Sequence, residues 1–384
     1  MATTSHLRQL NQWRVVGAML RLKTASRSDL AKSTHMSQPT VGRIVEDLIK
    51  ANFLCEVEVA QANERDGESR TPAAAVGRPS KLLSLNPHTP RFLGIQLGVR
   101  RTRLALLPAA PPEEDSWTME FATPNSATTW IAELKKHAAT LSTRGLEAVV
   151  ISVPGVVNEE TGQVLLSPNA RWTEQQPIRK LLQPLFKKPV TVIQEIRALA
   201  LGQYLSQPEV RDFLLVDLGN GVGASVVING ELLHGALPMS GELGHTPVVD
   251  NDRPCSCGAI GCVETLVSRA GLVASSRENG GPTTWPAFVA TLRKQGMPKW
   301  MKHSLDAVAT TIAGAINVVG LRNVLITGSL EELPREVGDY LCQRVVSGAM
   351  WSRFGEVSCQ PALRRRQPGM VAAAIQQLLA TENP

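Results

Sequence analysis

The spacing of apolar residues at the start of the chain predicts three short helices. Apolar side chains recur at helical spacing over 10–20. A second helix is predicted over 28–33 with Ser28 as its N-cap, and a third over 38–51 with Ser37 as its N-cap. The third helix has one apolar face, formed by Val41, Ile44, Val45, Leu48 and Ile49. Three helices of this length and order predict a small helical bundle.

After Pro90 the pattern changes to short β-rich runs that alternate with helical stretches. The predicted strands and strand pairs cover 92–98, 103–107, 147–155, 189–193, 212–235 and 323–329. The predicted helices of the first half lie near 128–142, 175–186 and 195–206. This alternation predicts an α/β domain with two lobes. The polar, Gly/Pro-containing segment 60–80 between the two parts is interpreted as a wing loop or a linker.

The length of the chain and its charge distribution also indicate separate domains. The 384 residues suit two or three domains. The first 50 residues carry eight Lys/Arg against three Asp/Glu, a net +5 of the chain's +6. A compact basic module favours a polyanion partner, although a solvated basic face would give the same charge. No apolar run is long enough to span a bilayer and no secretory leader opens the chain, so a cytoplasmic protein without a membrane partner is expected.

Residues 26–54 have the spacing of a helix-turn-helix, with a short turn at His35–Met36. Gln38, Thr40 and Arg43 are predicted to point outward, where they can reach base edges or phosphates of double-stranded DNA. Arg78, in the run 76–79, would form a basic arm reaching a groove, or belong to a plain interdomain linker. The alternative for the whole module is a helical bundle for protein contacts.

Three of the six cysteines cluster within eight positions. Cys255, Cys257 and Cys262, with His245 upstream, supply three thiolates and one imidazole, the closed tetrahedral ligand set of a structural Zn²⁺ site. Gly258 and Gly261 allow the turns that bring the sulfurs together. Three buried cysteines without a metal are the alternative. The remaining cysteines, Cys55, Cys342 and Cys359, are interpreted as ordinary core residues.

Several motifs together resemble the ROK family, which is named for repressors, open reading frames and sugar kinases. They are 215–245 with its Gly-Glu-Leu-Gly-His end, Cys-x-Cys-Gly-x-x-Gly-Cys-x-Glu ending at Glu264, VPGVVNEETGQVLLSPNARW at 153–172, and GRPSKLLSLNP at 77–87. With the helix-turn-helix, they resemble the repressor branch, which includes glucose-, xylose- and N-acetylglucosamine-responsive regulators.

The resemblance implies an α/β fold: an N-terminal winged helix-turn-helix and a two-lobed, actin/hexokinase-like (ribonuclease H-like) ROK domain. The implied domains are 1–88 with the linker and 89–384. Lobe one would take 89–195 and the C-terminal helix at about 368–384, and lobe two 196–367.

The chain departs from the family's kinases where catalysis and nucleotide binding are implied. Gln194 and Glu195 stand where kinases carry an Asn-Asp pair whose Asp is the general base, and Gln96 replaces an Asp that supports Mg²⁺–ATP. The second phosphate loop, 219–223, keeps its glycines, but Thr327-Gly328-Ser329 replaces a Gly-Gly pair. These departures predict that no catalytic residue survives, with Glu195 as a degenerate base.

The sugar-binding positions are better preserved. The resemblance implies that sugar hydroxyls are bound by Asn169, Gln194, Glu195, Glu242, His245 and Glu264. For Glu242 and Glu264 the alternative role is to orient the metal ligands.

The implied function is a sugar-responsive regulator, with repression the usual behaviour of this branch. A homodimer or tetramer would bind an operator, and a monosaccharide or sugar derivative would release it through a lobe rotation passed along residues 60–90. Two alternatives remain: an active ATP-dependent sugar kinase, and a regulator controlled by a protein partner.

Overall fold

A computed structural model describes residues 4–57, 81–111, 113–235 and 240–381, with the side chains of 4–10 and 381 excepted. The predicted wing or linker at 60–80, which includes Arg78, lies outside the described residues. Among the helices that are described, none is both long and apolar enough to cross a membrane.

The N-terminal module is a winged helix-turn-helix. Its elements are α1 (Thr4–Leu22), β1 (Thr24–Ala25), α2 (Arg27–Thr34), α3 (Gln38–Lys50), β2 (Leu54–Val57) and β3 (Leu82–Leu85). The strands form an antiparallel sheet in the order β1-β3-β2. Trp13, Leu30 and Val45, from the three helices, are buried in one core with Leu54 and Leu83 of the sheet. The three helices and the sheet therefore share one hydrophobic core.

The start of α2 differs from the prediction. Ser26, not Ser28, is the N-cap: its hydroxyl accepts the Asp29 N–H at 3.2 Å, and the Asp29 carboxylate accepts the Ser26 N–H at 3.0 Å. This reciprocal pair satisfies two backbone donors that Ser28 could not reach. The start of α3 agrees with the prediction, because Ser37 caps it through the Thr40 N–H.

The rest of the chain contains two five-stranded sheets with one topology. The first has the order β6-β5-β4-β7-β10, where these strands are β4 (Pro90–Leu97), β5 (Arg101–Pro108), β6 (Met119–Ala122), β7 (Ala148–Val153) and β10 (Val190–Gln194). The second has the order β13-β12-β11-β14-β15, where these are β11 (Phe213–Leu218), β12 (Val222–Ile228), β13 (Glu231–Leu232), β14 (Asn323–Gly328) and β15 (Ser358–Pro361). In each sheet an antiparallel meander of three strands is followed by two parallel strands. The repeated topology confirms the predicted two-lobed α/β architecture.

Helices cover both faces of each sheet. They are α4 (Ala127–Ala138), α5 (Ile178–Phe186), α6 (Glu195–Ser206), α7 (Glu264–Val267), α8 (Arg269–Glu278), α9 (Trp285–Gln295), α10 (Lys299–Val319), α11 (Arg335–Gly348) and α12 (Arg366–Thr381). A small hairpin, β8 (Val156–Asn158) with β9 (Gln163–Leu166), follows β7. Helices α4 and α5 pack on one face of the first sheet and α12 on the other. Helices α8–α11 pack on one face of the second sheet, and α6 lies against its opposite face.

The C-terminal helix α12 joins the two parts of the chain. Its residues Met370, Ile375 and Leu378 share one buried core with α1 and with the first sheet. A methyl group at Gly17 of α1 would lie 3.5 Å from Leu379 Cδ1, so the two helices are in close contact. The N-terminal module therefore packs directly on the helix that covers the first sheet.

Candidate ligand cleft and metal centre

A cleft of about 700 Å³ opens between the two sheets. Its walls are built from the segments that follow β4, β7, β10, β11 and β14 at their carboxyl ends. Ligands of open α/β sheets bind at this end of the strands because the loops there diverge and leave a crevice. All six residues predicted to bind sugar line this cleft: Asn169, Gln194, Glu195, Glu242, His245 and Glu264. The structure brings them together; their roles toward a sugar stay a prediction.

Two of these residues bond to each other across the cleft. The Gln194 side-chain amide donates to Glu242 Oε1 at 3.2 Å. Burial raises the pKa of Glu242, against the opposing effect of neighbouring His245. Glu264 lies deeper: it is buried and accepts the Val222 N–H at 2.7 Å. The cleft thus contains carboxylate oxygens and an amide that can exchange these internal bonds for bonds to hydroxyl groups.

The four predicted metal ligands converge beside this cleft. The ligand atoms of His245, Cys255, Cys257 and Cys262 all lie within 4.8 Å of one another. Cys257 Sγ lies 3.8 Å from Cys262 Sγ, and Cys255 Sγ lies 3.6 Å from His245 Nδ1. A tetrahedral ion with Zn–S bonds of about 2.3 Å and Zn–N bonds of about 2.0 Å separates two sulfurs by about 3.8 Å, and sulfur from nitrogen by about 3.5 Å. The donor set and its spacing therefore fit a four-coordinate metal ion such as Zn²⁺.

The loop that carries the three cysteines depends on two glycine turns, and burial controls the ionisation of one of its thiols. Gly258 and Gly261 have φ of +97° and +83°, and a Cβ at Gly261 would lie 2.5 Å from the Asn251 carbonyl oxygen. Only glycine fits that position without displacing the backbone. Burial raises the pKa of the Cys262 thiol to about 12, so this sulfur ionises near neutral pH only when a cation stabilises the thiolate.

His245 connects the metal centre to the cleft. Its Nδ1 faces Cys255 Sγ, whereas its Nε2 lies 3.7 Å from Glu242 Oε2. A histidine that binds metal through one nitrogen commonly directs its other N–H to a carboxylate, which holds the ring in place. The same geometry holds Glu242 at the cleft wall. The sugar-contact and ligand-orienting roles predicted for Glu242 are therefore compatible.

Glu195 is engaged in an ion-pair network around the buried Arg366. Its Oε1 accepts hydrogen bonds from Arg366 Nη2 at 2.6 Å and from Gln96 Nε2 at 3.0 Å. Arg366, whose side chain is only 5% exposed, also pairs with Asp115 at 2.6 Å. Asp115 Oδ1 in turn accepts the backbone N–H groups of Arg366 and Gln367, at the start of α12. The carboxylate predicted to stand at the family's general-base position is thus neutralised by the first residue of α12.

A second arginine, Arg364, lines the cleft beside two glycine turns. Arg364 forms a two-pronged ion pair with Asp217, at 2.7 and 2.8 Å. Burial alone would disfavour the charged carboxylate, but Arg364 holds the pKa of Asp217 below its usual value. The guanidinium rests on two glycine turns: its Nη2 lies 2.5 Å from a Cβ built at Gly219 and 3.0 Å from one at Gly328. These glycines belong to the two segments predicted to hold phosphate and adenosine.

Sequence reasoning missed Arg364, Arg366, Asp115 and Asp217. The available signal was the run of three arginines, 364–366, at the start of the apolar C-terminal helix. Such a run usually indicates a solvated charged segment. Its pairing with acids about 150–250 positions away follows only from the tertiary structure.

The predicted DNA-contact residues lie on α3. Gln38 and Arg43 are exposed, and Thr40 is half-buried, with its hydroxyl 2.8 Å from the Ser37 hydroxyl of the N-cap. Thr40 therefore helps to begin the helix as well as facing outward. Arg78 lies outside the described residues.

The chain is similar in sequence to proteins of a known family. A sequence model of the ROK family matches residues 92–375. The chain belongs to the ROK family. This confirms the family that the sequence motifs predicted. The xylose repressor of Caldicellulosiruptor bescii is 29% identical over 289 residues, which cover 71% of this chain and 67% of that protein. The regulator NagC of Escherichia coli is 24% identical over 352 residues, covering 85% of this chain and 82% of that protein.

Solved structures of the ROK family have the same fold. A ROK family transcriptional regulator, described as a homolog of the E. coli MLC protein, superposes with a TM-score of 0.72 at 22% identity, covering 98% of this chain and 99% of that one. A ROK glucokinase from Streptomyces griseus, solved with glucose and AMPPNP, gives 0.57 at 21% identity, covering 74% of this chain and 97% of that one. The regulator matches nearly the full chain, which confirms the predicted fold class.

Proposed function

We propose that this ROK protein is a DNA-binding transcriptional repressor that a sugar releases from its operator. The observation that carries the proposal is the direct packing of a winged helix-turn-helix on α12, whose first residue binds Glu195 in the cleft. Relatives named as xylose and N-acetylglucosamine repressors support the same function. The effector is a monosaccharide or a sugar derivative, held by the six cleft residues, and the ion in the four-ligand site is structural Zn²⁺.

The DNA-binding unit is proposed to comprise residues 1–88 and the sensing domain 89–384. Two copies of α3, in a homodimer or a tetramer, would enter successive major grooves of an approximately palindromic operator. Gln38 and Arg43 suit adenine and guanine edges respectively, since each can form paired hydrogen bonds with its base.

Replacing Arg43 with alanine is expected to weaken operator binding by about 5–150-fold, the cost of losing one base contact of about 1–3 kcal/mol. The operator would first be isolated by selecting random duplexes that bind the full chain, and affinity would then be measured by gel shift at fixed salt. Arg335→Ala, an exposed arginine of α11, is the matched control and should leave affinity unchanged. Equal affinity of Arg43→Ala and the unaltered chain would contradict the assigned role of α3.

The sugar signal is proposed to reach the DNA-binding module through α12. A sugar hydroxyl that donates to Glu195 competes with Arg366 for the same carboxylate, and Arg366 begins the helix that packs on α1. Two further contacts cross the cleft: Gln194 bonds Glu242, and Arg171 donates to the Ser256 carbonyl of the metal loop at 2.9 Å. A bound sugar would alter these contacts, so it would favour a different lobe arrangement.

Thermal unfolding with D-xylose, D-glucose and N-acetyl-D-glucosamine tests the sensing role. A sugar at about 100 times its Kd stabilises the folded chain by about 2.7 kcal/mol and raises the unfolding temperature by a few degrees. Asn169→Ala should remove the shift without lowering the basal unfolding temperature much, because Asn169 lies at the cleft wall. A sugar that shifts unfolding must also lower operator affinity; binding without this effect would reject the proposed release.

A sugar kinase is the second candidate, because Glu195 retains a carboxylate at the position of the family's base. Arg364 argues against it: the guanidinium occupies the space between Gly219 and Gly328, where the family's nucleotide would lie. We therefore propose that the chain has no kinase activity. An ATP-coupled assay with the sugar that shifts thermal unfolding decides between the two, and steady turnover would overturn this proposal.

A further inference from the structure

Two cysteines outside the metal centre lie side by side. Cys342 on α11 and Cys359 on β15 have their Sγ atoms 2.8 Å apart, about 0.8 Å more than an S–S bond of about 2.05 Å. Both are free thiols. The sequence analysis interpreted both as ordinary core residues; Cys342 is buried as expected, but Cys359 is partly exposed and the two thiols contact each other. This correction rests on the packing of α11 against β15, which the sequence does not reveal.

The thiol pair borders a groove of about 480 Å³. Its polar wall is formed by Gln343, Ser347, Ser352, Ser358 and Gln360. Val346 and Val357 line the groove as well, and Cys359 is partly exposed, so solvent and small solutes reach this thiol. The pair is therefore within reach of a molecule the size of a peroxide.

We propose that Cys342 and Cys359 form a reversible disulfide when the protein meets a hydroperoxide. The site is distinct from the metal centre, and it would make the ROK domain responsive to oxidation as well as to sugar.

The chemistry assigns different roles to the two sulfurs. The Cys359 S–H donates to Cys342 Sγ, and this hydrogen bond holds the pKa of Cys342 below its usual range. The Cys342 thiolate attacks one peroxide oxygen, the O–O bond breaks, and a sulfenic acid and hydroxide form. Cys359 then attacks the sulfenic sulfur and displaces its oxygen as hydroxide. With the two thiol protons, both hydroxides become water, so hydrogen peroxide is reduced to two waters and the thiols are oxidised to one disulfide.

The disulfide would tie α11 to the edge strand of the second sheet. The chain leaves β15 at Pro361 and reaches Arg364 three residues later, so the bond would fix the strand that immediately precedes the partner of Asp217. The bond also joins residues 342 and 359 into a closed loop, which lowers the conformational entropy of the unfolded chain. Oxidised protein should therefore unfold at a temperature about 2–5 °C higher than reduced protein.

Treating the full chain with a slight excess of hydrogen peroxide tests the proposal. Peptide mapping should show one cross-linked pair, Cys342 with Cys359, with loss of two hydrogens from the intact mass. Dithiothreitol should restore both thiols. Metal content is measured in parallel, because zinc-bound thiolates also oxidise. Cys342→Ser and Cys359→Ser should each abolish the cross-link, whereas Cys55→Ser, a partly exposed cysteine of the wing, should retain it.

The mapping on the unaltered chain is decisive even if a serine variant fails to fold. Free thiols at 342 and 359 after treatment, with the metal retained, would overturn the proposal. So would a disulfide from either cysteine to a metal ligand, or one formed between two copies of the chain.

Discussion

Cys262→Ser is expected to release the metal ion and to weaken sugar binding by about 10–100-fold. Losses of affinity or activity in that range are typical when a group that orients the residues of a metal site is lost. Cys262 is 1% exposed and lies 3.8 Å from Cys257 Sγ, so its removal opens the ligand shell. His245 then loses the ion that holds its ring, and Glu242, 3.7 Å away, loses its partner at the cleft wall. This substitution therefore joins loss of the metal to loss of the cleft geometry.

Two measurements separate these consequences. Metal analysis of the purified protein should fall from one ion per chain to near zero, and a sugar titration followed by thermal unfolding should give the raised Kd. Cys55→Ser is the matched control: Cys55 lies on β2, 3.2 Å from the Ser84 hydroxyl of β3, and is not a member of the cluster, so the variant should keep both properties. Full metal content in Cys262→Ser would refute the assigned ligand set. Loss of the metal with unchanged sugar affinity would show that the two sites are independent.

Arg366→Met is expected to lower the free energy of unfolding by about 3–5 kcal/mol, the usual cost of removing one partner of a buried ion pair. Arg366 is 5% exposed and neutralises both Glu195 and Asp115, so methionine leaves two acids without their cation. The neighbouring Arg365→Met is the control. Its partner Glu113 is 62% exposed, and an ion pair of that kind contributes at most about 1 kcal/mol.

Chemical denaturation of the variants measures the stability change, and the ratio of operator affinities with and without sugar measures the coupling. If the signal passes through Arg366 and α12, the ratio should approach one in Arg366→Met. Adding Glu195→Gln should recover part of the lost stability, because it removes one unpaired charge; the double-mutant cycle isolates that pair. A variant that is destabilised but still releases DNA in sugar would limit Arg366 to a structural role.

Local signals in the sequence predicted the elements that depend on local interactions. The helix predicted near 195–206 agrees with α6 in the structure. The apolar pattern that predicts it lies within one continuous segment of the chain. The N-cap of α2 was wrongly placed at Ser28, since two serines flank the start and only the Ser26–Asp29 pair satisfies the backbone donors reciprocally. The four metal ligands were predicted because their spacing alone restricts how the chain can turn.

The sequence by itself therefore determined the family, the two-lobed fold class, the helix-turn-helix and the His/Cys cluster that could hold a metal ion. Each is encoded by spacing or by motifs within a short stretch of chain. Only the tertiary structure decided that Glu195 is neutralised by Arg366, that Arg364 lies on the two glycine turns, and that Cys342 meets Cys359. These contacts join different elements, two of them across more than a hundred positions, and a side chain's partner at that separation depends on how sheets and helices pack, which no local pattern specifies.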